Sequence, residues 1–163
     1  VLILSFYDDN FVIGLPKDVI DATIDLQQRL LSIELNFNFN KSIVFGFNAF
    51  DDFTLDCIHE FGFQVSPNNE GVVVLGAPIG SPDFEGRICK QKANEIIEQK
   101  ELLDTALRSP SGFVHSQIQT IYALVRLCCP QQFNYLLRTC PPSSTLASAK
   151  LLDTAIQKTN FNH

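Results

Sequence analysis

Below residue 80 short apolar, strand-like runs alternate with segments whose apolar positions fall at helical spacing, and beyond it the spacing is helical throughout. Residues 1–6 and 11–13 are short apolar, β-prone runs on either side of Tyr7-Asp8-Asp9-Asn10. That pattern predicts a tight β-hairpin whose polar tip carries two carboxylates. Gly14-Leu15-Pro16 breaks the second run, and over 17–34 the apolar positions Val19, Ile20, Ile24, Leu26, Leu30, Leu31 and Ile33 fall at helical spacing. One face of this helix is apolar enough to pack on a sheet.

Residues 36–40 alternate Asn with Phe, which resists a helix, and 42–47 read as a further short strand. A short helix is expected over 51–61, with Asp51-Asp52 complementing the partial positive charge of its N-terminus, and Gly62 is expected to end it. A strand-like 63–65, a turn over 66–71 and the β-branched run 72–75 follow. Gly76-Ala77-Pro78-Ile79-Gly80-Ser81-Pro82 then predicts a sharp, fixed bend. From residue 83 onward helices are expected on Cys89, Ala93, Ile96, Leu103 and Leu107, then Val114, Ile118, Ile121, Tyr122 and Val125, then Leu136 and Leu137, then Leu146, Leu151, Leu152 and Ile156. Breaks are expected at Ser109-Pro110, Pro130 and Pro141-Pro142. The expected organisation is a mixed strand and helix part over 1–80 and a helical part over 81–163.

Composition narrows this to globular sequence, because 45% of the residues are hydrophobic and only 18% are charged, too apolar for a solvated linker. No apolar run approaches the roughly 20 residues needed to span a bilayer, and the opening residues lack a signal peptide's basic flank. An intracellular, non-membrane protein is therefore expected. The chain opens inside a strand-like run and contains no Met, the pattern of a piece of a larger reading frame. Its five cysteines form no Cys-x-x-Cys pair, so buried, reduced thiols are expected rather than a disulfide framework. A formal charge of −6 counts against a free-standing nucleic-acid binder.

Adjacent carboxylates on a hairpin tip suit two-metal phosphoryl transfer, since Mg²⁺ prefers hard oxygen ligands; Asp-Asp-Asn at a hairpin is equally ordinary turn chemistry. No His lies at i+4 from His59 or His115 to complete a zinc pair, and 76–80 lacks the Lys and Ser/Thr of a phosphate-binding loop. Lys41 has the bland reading of a strand-edge lysine, and Phe37 and Phe39 that of core filling, with base stacking as a minor alternative. Arg87, Lys90, Lys92 and Lys100 are offset by Glu85, Glu95, Glu98 and Glu101, which supports at most a weak contact to a phosphate backbone.

Several blocks in order go further. Ser5-Phe6-Tyr7-Asp8-Asp9-Asn10-Phe11-Val12-Ile13-Gly14 resembles the aromatic-x-Asp-Asp hairpin of reverse transcriptases, with a bulky Tyr7 where the family usually has a small or aliphatic residue. Phe37-Asn38-Phe39-Asn40-Lys41-Ser42 resembles the Asn-x-x-Lys-Ser block that closes the palm in retrotransposon and group II intron reverse transcriptases. Val74-Leu75-Gly76-Ala77-Pro78-Ile79-Gly80 is similar to the family's primer-grip turn, and Phe133-Asn134-Tyr135-Leu136-Leu137-Arg138-Thr139-Cys140-Pro141-Pro142 to its thumb region.

The resemblance implies the C-terminal part of a non-LTR retrotransposon reverse-transcriptase domain. Its fold would be α+β: a palm remnant, with a β-hairpin and a helix on a small antiparallel sheet, followed by an all-helical thumb-like region. It implies an RNA-directed DNA polymerase, a nucleotidyltransferase in which Asp8 and Asp9 bind Mg²⁺ and Lys41 lies near the phosphates of the incoming deoxynucleoside triphosphate. Tyr7, Leu75, Gly76 and Gly80 would contact substrate or position the primer, and the implied partners are an RNA template and a DNA primer. The strands that carry the family's other metal-binding aspartate have no counterpart in the 163 residues, so the chain alone is expected to be inactive. The alternatives are a decayed or domesticated retroelement piece acting as a non-catalytic interaction module, and an unrelated soluble α+β domain.

Overall fold

A computed structural model describes residues 1–6, 9–107 and 115–158, and these divide into two compact units, 1–70 and 71–163. The class is α+β, mostly helical, with three two-stranded sheets among the described residues.

In the first unit, β1 (Leu2–Phe6) and β2 (Asp9–Ile13) pair antiparallel, from Leu2 opposite Ile13 to Phe6 opposite Asp9. The expected four-residue tip is therefore shorter. Asp9 and Asn10 belong to the ladder, where Ser5 Oγ donates to Asn10 Oδ1 at 2.7 Å. Side chains alternate across a strand, so the exposed Leu2, Ile3 and Leu4 place apolar surface on both faces of β1.

Helix α1 (Pro16–Leu31) starts where Pro16 presets the helical φ at its first position, and it ends three residues before the expected limit. It touches β2, yet none of its residues is fully buried, so the expected packing on a sheet is only partial. Of the strand expected over 42–47 only β3 (Ile43–Val44) forms; it pairs with β4 (Gln64–Val65), and the pair is parallel rather than antiparallel. The reason is connectivity: α2 (Asp52–Phe61) crosses between the strands, and a helical crossover returns the chain in the same direction.

Both ends of α2 are capped as the sequence predicts. Asp51 accepts from the Thr54 backbone N–H at 2.7 Å, and hydrogen bonding from Thr54 holds its carboxyl below the ordinary range. At the other end Gly62 adopts a left-handed φ of 75°, and Gly62 and Phe63 donate back to His59 and Ile58. Asn69 ties the unit together: its side chain donates to the carbonyls of Gly46 (2.6 Å) and Asn48 (3.1 Å) and accepts from the Gly46 N–H (3.1 Å).

The second unit opens with a hairpin of β5 (Gly71–Val74) and β6 (Ala77–Gly80). The bend expected over 76–82 is thus mostly strand, and the reversal is confined to Leu75 and Gly76, with φ of 50° and 85°. Two successive positive φ values define the type I′ turn, whose twist matches that of the strands it joins. Leu75 is half-exposed, so its side chain offsets little of the strain of its left-handed backbone. Leu75→Asn is expected to stabilise the unit by several tenths of a kcal/mol and Gly76→Ala to destabilise it by about 1 kcal/mol, read by thermal denaturation. Gly71 is fixed for a different reason: a Cβ there would fall 2.4 Å from Cδ1 of Phe84.

Helix α3 (Pro82–Leu107) is the spine of this unit. The break expected at Pro130 does not occur: α4 (His115–Ala123), a π-helical turn over Leu124–Cys128 and α5 (Cys129–Thr139) follow one another without interruption. Proline has no N–H to donate and clashes with the carbonyl four residues back; the wider π turn just before Pro130 relieves that conflict without ending the helix. The break at Pro141-Pro142 does occur, with Pro142 the first residue of α6 (Pro142–Gln157). That expected at Ser109-Pro110 lies outside the described residues.

The core joins Cys89, Ala93 and Ile96 of α3 to Cys129, Phe133 and Leu136 of α5, Cys140 at the end of α5 and Leu152 of α6. On α6 the expected face is partly wrong: Leu146 is 54% exposed and Leu151 41%, whereas Ser144, Thr145 and Ser148 are buried beside Leu152. These short side chains let α6 lie close against α3. Their hydroxyls are not lost to burial, since Ser144 donates to Glu85 Oε2 (2.8 Å) and Thr145 to the Pro141 carbonyl (3.3 Å). Leu137 is likewise exposed while its neighbour Leu136 is buried.

Candidate functional site

Of the hairpin positions singled out in the sequence, Tyr7 and Asp8 lie outside the described residues. Asp9 is the first residue of β2, exposed and opposite Phe6.

Lys41 ends a short 3-10 turn, Phe39–Lys41, in which the Lys41 N–H donates to the Asn38 carbonyl at 2.9 Å and Ser42 Oγ donates to that same oxygen at 3.0 Å. The Asn-x-x-Lys-Ser block is thus a self-capped turn, and the Ser42 carbonyl accepts from the Gln64 N–H to register β3 with β4. Lys41 is exposed. Phe37 and Phe39 are half-buried, their ring centroids 5.9 Å apart, and Phe39 meets Phe63 edge-on at 5.1 Å. The three rings pack on one another at tilted and edge-on angles.

The remaining predicted residues belong to the other unit. Leu75 and Gly76 form the I′ turn, and Gly80 stands at the far end of the same hairpin, opposite Gly71. Tyr135 of α5 lies behind the turn, its Cε1 3.6 Å from where a Gly76 Cβ would be. Between hairpin and helices runs an open groove of about 320 Å³ lined by Val73, Gly76, Ile88, Lys92, Tyr135 and Leu136. On α3, Arg87, Lys90, Gln91, Asn94, Glu95 and Glu98 face a shallow depression of about 430 Å³. There Lys92 meets Glu95 at 3.1 Å, and the hydrogen bonds from Lys92 and then Gln91 hold the Glu95 carboxyl below its ordinary range. The expected offset of positive by negative charge on this helix is thus in part a direct ion pair.

The acidic balance is unevenly shared. Residues 1–70 carry eleven acidic and three basic side chains, and 71–163 carry seven and nine. Any contact with a phosphate backbone is therefore electrostatically favoured in the second unit and opposed in the first.

Among the described residues no three His, Cys, Asp or Glu side chains converge. The chemistry of Asp8 and Asp9, hard carboxylate oxygens, suits Mg²⁺, but the described residues do not make a complete site for two ions. Also among the described residues, no helix is long and apolar enough to cross a membrane.

Two features were missed in the sequence, a buried ion pair and the meeting of two cysteines whose burial was expected. Lys100 and Asp104 form an ion pair of 2.6 Å, with side chains only 9% and 17% exposed, and Asp104 Oδ1 has no partner among the described residues. Their i,i+4 spacing was legible; their burial was not, because it depends on what packs over α3. Cys89 and Cys140 meet inside the helical core. No protein-family model, no curated protein and no solved structure matches the chain.

Proposed function

We propose that this chain is part of an RNA-directed DNA polymerase of the reverse-transcriptase kind, with residues 1–70 belonging to its palm, the β5–β6 hairpin serving as primer grip and the helices after it as thumb. The observation that carries this reading is the order of the blocks together with their local geometry. Asp9 opens the second of two paired apolar strands, Asn38 to Ser42 is a capped turn leading into a strand, and Leu75-Gly76 is a two-residue turn backed by a helix. Apolar surface on both faces of β1 further supports a strand built to be covered on both sides.

In this reading Asp8 and Asp9 hold Mg²⁺ together with a carboxylate supplied by other polypeptide. Lys41 lies toward the triphosphate, and Tyr7, Leu75, Gly76 and Gly80 bear on substrate or primer. The net positive second unit favours the RNA template and DNA primer there. The setting implied is intracellular.

The 163-residue chain is expected to give no primer extension on an RNA template with Mg²⁺, because its carboxylate set is incomplete. Extension by the purified chain would overturn that expectation. A longer polypeptide from the same reading frame, carrying a further Asp-bearing strand, is expected to extend the primer and to lose extension on Asp8→Asn. Extension indifferent to Asp8→Asn would remove the metal role of Asp8 and with it the polymerase reading.

A second reading, a non-catalytic interaction module, is favoured by Leu102 and Leu127, each more than two-thirds exposed on the helices of the second unit. It predicts that the longer polypeptide is inactive whatever residue stands at position 8.

A further inference from the structure

The geometry points to Cys89 and Cys140 as a dithiol pair that peroxide converts to a disulfide, stapling α3 to the junction of α5 and α6. Cys89 sits mid-face on α3, fully buried. Cys140 is the C-terminal cap of α5, leaving the helix in an extended conformation that turns its side chain into the same core cluster. A second contact fixes the two elements in place: one turn before Cys89, Glu85 accepts a hydrogen bond from Ser144, one turn beyond Cys140, at 2.8 Å. The pairing is thus set by a hydrogen-bonded clamp beside it.

The sulfurs differ in a way that orders the chemistry. Burial first, then the adjacent Cys140 sulfur and Glu85, push the Cys89 thiol up to about 12, so it keeps its proton at neutral pH. Cys140 retains slight exposure, 7%, against none for Cys89, and the Thr139 hydroxyl lies 3.8 Å from its sulfur. Cys140 is therefore the sulfur that meets oxidant. The Cys140 sulfur attacks one oxygen of hydrogen peroxide, the O–O bond breaks, and Cys140 becomes a sulfenic acid as the departing hydroxide takes up the thiol's proton to leave as water. The Cys89 sulfur then attacks the Cys140 sulfur, the S–O bond breaks, and the hydroxyl departs with the Cys89 proton as water. Two thiols and one peroxide give one disulfide and two waters; both sulfurs are oxidised and the peroxide oxygens reduced.

Cys57 and Cys128 stand outside this cluster, and Cys129 is the remaining buried thiol. The test treats the full chain carrying Cys57→Ser and Cys128→Ser with hydrogen peroxide, alkylates it under denaturing conditions and maps its peptides without reductant. A Cys89–Cys140 cross-linked peptide is expected, with Cys129 alkylated and a raised melting temperature that dithiothreitol reverses. The proposal is overturned if Cys89 and Cys140 are both recovered alkylated. It is equally overturned if Cys140 is recovered only as its sulfinic or sulfonic acid, or if either thiol pairs with Cys129.

Discussion

Phe133→Ala is expected to destabilise the helical unit by about 3–5 kcal/mol, enough to unfold it in much of a population at physiological temperature. Among the described residues Phe133 is the largest of the fully buried side chains, and it lies where α3 and α5 meet. Truncation removes the whole ring from an interior whose neighbours are fixed by helix packing: Ile96 and Cys89 on one side, Leu136 and Cys129 on its own helix. Helices of this length relax little around a void, so the cost includes the cavity as well as the lost transfer of the ring out of water. Urea titration of wild type and variant measures it. A midpoint unchanged within error would show that the core is not organised around this ring, whereas Leu137→Ala, on the exposed side of the same helix, is expected to stay within about 0.5 kcal/mol of wild type.

The contrast between Leu136 and Leu137 shows how far the sequence could be read. Signals that act within a few residues were legible. Pro16 and Pro142 open helices, Asp51 caps one and Gly62 closes it, and each does so through its own backbone or side-chain geometry. The hairpin itself followed from apolar runs on either side of a polar tip, but its register did not: a tip over 7–10 would set Phe6 opposite Phe11, whereas Phe6 stands opposite Asp9.

What was not legible depends on partners distant in sequence. Periodicity of large apolar residues placed Leu146 and Leu151 in the core, but close approach of α6 to α3 demanded small side chains there, and serine satisfies that demand when its hydroxyl has an acceptor. Pro130 carried a local stop signal that the π turn overrode, because packing on both flanks held one continuous helix. The direction of β3 against β4 followed from α2 crossing between them, which strand propensity cannot express. At the candidate site the same division holds. The turn chemistry of Leu75-Gly76 and of Asn38 to Ser42 is local and could be anticipated in part, while the sharing of charge between the two units required knowing where one unit ends.

Lys100 belongs to the same class of feature, and replacing it gives the second large effect. Lys100→Met is expected to cost about 3–5 kcal/mol, because it leaves the Asp104 carboxylate buried without its counter-charge. The side chains are of similar length, so packing changes little and the loss is electrostatic. Asp104 already lacks a partner for Oδ1 among the described residues, which leaves it no alternative donor there once the ammonium is gone. The double variant Lys100→Met, Asp104→Leu removes both charges and the unsatisfied oxygen together, and it is expected to regain most or all of the stability, since an apolar pair of like volume carries no desolvation penalty. A double-mutant cycle by chemical denaturation separates the two terms. Recovery in the double variant would show that the pair within α3 is not a net source of stability. Failure to recover, with the single variant as predicted, would mean that the ion pair itself contributes more than hydrophobic packing could at that place.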